Sequence, residues 1–165
     1  MFPRPLRRLA SPFIALAATL IAACSPPPAQ ACTPVSFDGA PYTVCKFDTT
    51  GSDIRLFLND PDGAPYGQFD RLAGQLEAEG KSLTFAMNGG MYHADRRAVG
   101  LYVEEGSQLA PLVRSAGPGN FGMLPNGVFW LDGSSAGIAE TSAYDARFPA
   151  TQPRFATQSG PMLVL

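Results

Sequence analysis

Val128-Phe129-Trp130-Leu131-Asp132-Gly133-Ser134-Ser135-Ala136-Gly137-Ile138-Ala139-Glu140 decides the fold class. Inside it, Gly133-Ser134-Ser135-Ala136-Gly137 matches, letter for letter, the glycine-x-serine-x-glycine elbow of serine hydrolases. That elbow needs a strand, a sharp turn and then a helix. Here the glycines fall in a turn between two β-rich runs, Val128–Leu131 and Ala136–Glu140, which predicts a hairpin. The order of residues also fails. In the hydrolase fold the histidine follows the serine, whereas His93, the single histidine of the chain, precedes it. The stretch is read as strand, turn, strand.

The pattern repeats on either side. Downstream, Phe155–Thr157 and Met162–Leu165 are predicted strands around Gln158-Ser159-Gly160-Pro161. Upstream, a glycine-rich loop, Gly117–Gly127, ends in Pro125-Asn126-Gly127. Before it, Val99–Glu104 and Gln108–Val113 flank a hairpin turn at Glu105-Gly106-Ser107. Leu83–Met87 reads as a short buried strand stopped by Asn88-Gly89-Gly90. Tyr42–Phe47 and Ile54–Leu58 read as two further strands separated by turn residues. Asp60-Pro61-Asp62-Gly63 resembles the start of a calcium loop, but the later ligands are missing and the segment reads as a type I turn. Gln68–Glu79 is the one good helix, with Phe69, Leu72, Ala73 and Leu76 on one face and Gly80 just past its end. The expected class is α+β, with a mixed, strand-rich sheet and few helices. The apolar run Met162-Leu163-Val164-Leu165 further predicts a strand that belongs to a larger domain, of which residues 32–165 would be an incomplete part.

The other end of the chain concerns export. Arg4, Arg7 and Arg8 precede an apolar run from Phe13 to Ala23, too short to span a bilayer. Leu20-Ile21-Ala22-Ala23-Cys24 is the pattern read by a lipoprotein signal peptidase. The expectation is a signal peptide at residues 1–23, a lipid anchor to the membrane on Cys24, and a proline-rich tether over 24–31. Ser25 after the cysteine favours the outer membrane, on the periplasmic side of the envelope. Ordinary secretion, with cleavage after Ala29-Gln30-Ala31, is the alternative. Cys32 and Cys45 are then left in an oxidising compartment, where a disulfide is expected; two free thiols are the alternative.

Without the three signal-peptide arginines, nine basic residues face fourteen acidic ones, a net charge near −5. No basic patch or Arg/Lys run is present, which argues against nucleic acid as a partner. No Cys/His set has zinc spacing and the glycine-rich loop lacks a P-loop lysine, so neither a metal nor another cofactor is expected. What stands out is three amide- or hydroxyl-bearing glycine turns: Met87-Asn88-Gly89-Gly90-Met91-Tyr92, then Gly119-Asn120-Phe121 with Pro125-Asn126-Gly127, then Thr157-Gln158-Ser159-Gly160-Pro161. Glycine in such turns lets backbone N–H groups approach an anion, and Arg96 and Arg97 lie near the first. Three ordinary tight turns are the plainer reading.

These blocks, together with Val99-Gly100-Leu101-Tyr102-Val103 and Met162-Leu163-Val164, resemble the phosphodiester glycosidase domain, the family of the lysosomal uncovering enzyme and of many exported bacterial proteins. They occur in family order over about residues 41–165. The resemblance implies a sugar-phosphodiester or other glycan substrate. It places Asn88 and Ser159 at the catalytic centre, with Gly89, Gly90, Asn126 and Gly160 binding substrate. His93 and Asp95 would be surface neighbours. The family's later arginine-rich segment and Asp-Gly-Gly block have no counterpart in this sequence, so the resemblance covers the N-terminal part of the family domain and leaves the catalytic carboxylate unassigned. A non-catalytic envelope lipoprotein that binds glycan or protein through the same turns is the alternative.

Overall fold

In the computed structural model the described residues are 32–164. The signal peptide, Cys24, the tether and Leu165 lie outside them. The chain divides into two units, the first ending at Cys45 and the second running from Lys46.

The described part of the first unit is a hairpin. Strands β1 (Cys32–Phe37) and β2 (Ala40–Cys45) pair antiparallel, from Cys32↔Cys45 to Phe37↔Ala40. Asp38 and Gly39 turn the chain with φ of 48° and 75°, a conformation that Asp and Gly tolerate best. The Cys32 and Cys45 sulfurs are bonded. The strand expected over Tyr42–Phe47 is thus displaced toward the N-terminus, and its partner β1 is an element the sequence reading left out.

In the second unit, helix α1 (Phe69–Ala78) buries Leu72 and Leu76, while Phe69 remains half exposed. It ends as its sequence predicts. Gly80 takes φ 72°, its N–H donates to the Glu77 carbonyl, and the Lys81 N–H donates to the Leu76 carbonyl. Strands β3 (Tyr102–Glu104) and β4 (Ser107–Ala110) form the first expected hairpin, with Glu105 and Gly106 at φ 47° and 77°. β5 (Gly127–Asp132) and β6 (Ser135–Glu140) form the second, in register from Gly127↔Glu140 to Asp132↔Ser135. β7 (Phe155–Ser159) is the last strand in sequence but the middle one in space. The sheet order is β4-β3-β7-β5-β6, and each of its ladders is antiparallel. The α+β, strand-rich class follows.

A second helix, α2 (Thr141–Arg147), was not anticipated. It is too short to show a period. Its start is fixed by the Glu140 carboxylate, which accepts from the Ser142 and Ala143 N–H groups. Tyr144 and Phe148 pack over the sheet against Trp130, which sits above Gly137 of β6. Leu101, Val103, Val128, Trp130, Tyr144 and Ala156 make up the core of this face.

Three expected strands are corrected. Ile54–Leu58 and Leu83–Met87 join no ladder among the described residues. Leu58 gives its N–H to the Glu104 carboxylate instead of to a neighbouring strand. Phe85 and Met87, expected to be buried, are 43% and 70% exposed. Met162–Val164 is not a strand either. The Met162 N–H donates to the Pro125 carbonyl, and Leu163 and Val164 are exposed. Apolar, β-prone composition in these segments is not matched by a strand able to accept their backbone hydrogen bonds, and pairing rather than propensity makes a strand.

Candidate functional site

The three glycine turns meet at the C-terminal end of β7. Strand alternation sends Thr157 to one face and Gln158 to the other. On the first face, Gly90 lies so close that a Cβ there would come within 2.5 Å of the Thr157 hydroxyl oxygen. On the second, a Cβ at Gly160 would come within 2.7 Å of the Asn126 Cβ and 3.2 Å of the Phe121 carbonyl. The Phe121 ring in turn fills the space beside Gly100. The sequence therefore needs glycine at 90, 100 and 160 because backbones and rings from three separate loops touch there.

Gln158 is the residue that binds these loops together, and the sequence reading did not single it out. It is 1% exposed. Its Oε1 accepts from the Leu101 N–H at 3.2 Å and the Val113 N–H at 3.0 Å. Its Nε2 donates to the Val113 carbonyl at 2.7 Å and to the Thr141 hydroxyl at 3.0 Å. The Thr141 hydroxyl donates onward to Asn126 Oδ1 at 2.6 Å, and Asn126 Nδ2 donates to the Phe121 carbonyl at 3.4 Å. One hydrogen-bonded chain of buried side chains thus runs from β3 through β7 and α2 to the Gly117–Gly127 loop. A buried polar network that is fully satisfied fixes its members in a single arrangement. The signal that would have found Gln158 is its position: an amide two residues before Gly160, on the face of β7 that carries Ala156.

The expected site residues divide between surface and interior. Asn88, Gly89 and Ser159 are exposed at their turns, and Gly90 and Gly160 are half-buried between them. Asn126 is wholly buried, with its side-chain oxygen taken by Thr141. The two arginines near the first turn are occupied. Arg97 pairs with Asp95 at 2.7 Å, and Arg96 lies over the Tyr92 ring at 4.9 Å. His93 is at the surface, its backbone closing the Tyr92–Ala98 turn. Among the described residues no three His, Cys, Asp or Glu side chains gather as metal ligands, and no helix is long and apolar enough to cross a membrane.

Beside the glycine turns opens a cleft of about 380 Å³, lined by Arg114, Leu124, Pro125, Asn126, Thr141, Ser142, Glu140 and Asp145. Pro125 and Asn126 belong to both, so cleft and turns share a wall. Arg114 grips Asp145 with two hydrogen bonds, Nε to Oδ2 at 2.8 Å and Nη2 to Oδ1 at 2.6 Å. That guanidinium holds the Asp145 carboxyl below the usual carboxylate range. Glu140 is held down as well, first by the Ser142 hydroxyl and then by the N–H groups at the start of α2. Both carboxylates are ionised at neutral pH.

The chain is 33% identical over 111 residues to an uncharacterized protein, YigE, of Escherichia coli (strain K12). The match covers 67% of this chain and 42% of that relative, so the chain spans less than half of the relative's length. No family model matches the sequence, and no solved structure matches it.

Proposed function

We propose that this chain contributes to hydrolysis of a sugar 1-phosphodiester, or a related glycosidic bond, in the bacterial envelope, with Cys24 as the lipid tether. The observation that carries the reading is the convergence of the three glycine turns at the end of β7. Asn88 and Ser159 are exposed beside Gly90 and Gly160, whose lack of a side chain lets the turns pack together at this point. A sugar phosphodiester leaves readily as a phosphate ester, so its site has mainly to hold the phosphate and stabilise an oxocarbenium-like transition state. Amide side chains and turn N–H groups suit that task, and the resemblance to the phosphodiester glycosidase domain points the same way. Because the chain spans only part of its relative, the activity is proposed for the protein as a whole.

A glycan-binding lipoprotein without catalysis is the second reading. It is favoured by the side chains of Asn88 and Ser159, which no described neighbour fixes in place, unlike those of Gln158 and Asn126. The discriminating experiment measures release of sugar from a sugar 1-phosphodiester by the full natural protein. Asn88→Ala should abolish turnover while changing stability by less than about 0.5 kcal/mol, as for an exposed side chain without a structural role. Binding of the diester without any release would decide for the second reading.

A further inference from the structure

We infer that the cleft between the Gly117–Gly127 loop and α2 is a subsite for an uncharged sugar ring, separate from the place where a phosphate would sit. The inference rests on the sugar-directed reading above but not on catalysis, since a glycan-binding protein would need the same subsite. Its volume, about 380 Å³, is within the range of small-molecule sites, which begin near 300 Å³.

The lining has the chemistry of a polyol site. Glu140 and Asp145 present ionised carboxylates along one rim, the acceptors that paired sugar hydroxyls seek. Arg114 lines the same cleft, and its N–H groups not given to Asp145 are donors for ring or hydroxyl oxygens. Leu124, half exposed, and Pro125 give an apolar wall for the C–H face of a ring. Asn126 and Thr141 form the floor, already hydrogen-bonded to each other. They hold the shape and do not reach for the ligand.

The same lining argues against an anion here. One guanidinium faces two carboxylates, and it is already committed bidentately to one of them. A phosphate entering would have to displace Asp145 and lie beside Glu140, both of like charge. Neither carboxylate fits a proton donor, because their neighbours keep both ionised. Their role in this cleft is to accept hydrogen bonds, and Asp145, fixed by Arg114, sets the preference for a neutral ring.

The test is an NMR titration of the full natural protein with methyl glycosides of glucose, mannose and N-acetylglucosamine, and separately with inorganic phosphate. At least one glycoside should shift the backbone signals of Leu124, Ser142 and Asp145 saturably, and phosphate should leave them in place. Asp145→Asn should weaken glycoside binding roughly tenfold, as expected for loss of a charged hydrogen-bond acceptor. Leu124→Ser, which keeps every charge, should weaken it by a smaller factor, and both variants should retain the wild-type fold by circular dichroism. Phosphate shifting these signals, or no glycoside shifting them, would overturn the inference. Glycoside binding in the cleft together with a lack of diester hydrolysis would uphold it while removing the hydrolase reading. Hydrolysis with no glycoside response in the cleft would do the reverse.

Discussion

Leu83–Met87 and Val128–Leu131 are similar stretches of sequence with different fates. Both are short, apolar and flanked by glycine turns. Val128–Leu131 lies between β6 and β7, and Val128, Trp130 and Leu131 are at most 7% exposed. Leu83–Met87 has no ladder among the described residues, and its Phe85 touches Phe47 at 5.1 Å between ring centroids while remaining 43% exposed. The difference teaches that an apolar run becomes a strand when a neighbouring strand can satisfy its backbone. The run itself says only that it would accept one.

The sharpest way to break this comparison is to remove one phenylalanine from each region. Phe155 in β7 is 2% exposed, and Phe155→Ala should cost about 3–5 kcal/mol in urea unfolding. Phe85→Ala should cost clearly less, about 1 kcal/mol, since Phe85 is already 43% exposed. Equal losses would mean that Leu83–Met87 is packed far better than its exposure indicates.

Gln158→Leu should have the next largest effect. It would leave the Leu101 and Val113 N–H groups and the Val113 carbonyl without their side-chain partner, at a cost of roughly 3 kcal/mol. Hydrogen exchange would sharpen the result. Val113 and the Gly117–Gly127 loop should lose protection first, because the amide ties those segments to β7. If only the sheet amides respond, Gln158 is a core residue without a role in joining the turns.

The smallest effect concerns Glu104, which ties the unladdered Ile54–Leu58 run to β3. Its Oε2 accepts from the Leu58 N–H at 3.1 Å and from the Tyr102 hydroxyl at 3.0 Å. Burial, the largest influence, raises its carboxyl above the ordinary 4.5, with Glu105 adding to the rise and the two hydrogen bonds opposing it. The folded state therefore favours the protonated form. The stability this gives is complete below about pH 4.5 and is lost as pH rises through the raised value. In Glu104→Gln the dependence should vanish, so the two proteins should differ most in the slope of stability with pH just above 4.5. Parallel slopes would show that Glu104 ionises as it does in the unfolded chain.

What could be read from the sequence was local chemistry. Glu105-Gly106 and Gly133-Ser134 announced their hairpins because glycine relieves a strained turn, and Gly80 marked the end of α1 for the same reason. Asp38-Gly39 carried an equally good signal and was passed over because Pro34 and Ser36 obscure the strand before it. α2 left no trace, since seven residues cannot display a helical period and its cap, Glu140, also ends β6. For the site, the glycine turns could be recognised singly, but their meeting depends on β7 entering the sheet between β3 and β5, a long-range placement no local pattern encodes. Asn126 shows the limit most clearly. Its turn suggested a side chain facing a ligand, whereas Thr141, fifteen residues away, holds it inside.

The hairpin that opens the described chain has one more consequence. Two strands of six residues, taken by themselves, are marginal in water, and the covalent link between Cys32 and Cys45 is what shifts the balance. The ladders around β7 are built from residues beyond Cys45. Protein made where thiols stay reduced should therefore have a looser hairpin. Such a preparation would carry a leading segment open to proteases, cleaved somewhere between Thr33 and Val44. Digestion with and without a reductant would then report the redox history of a sample.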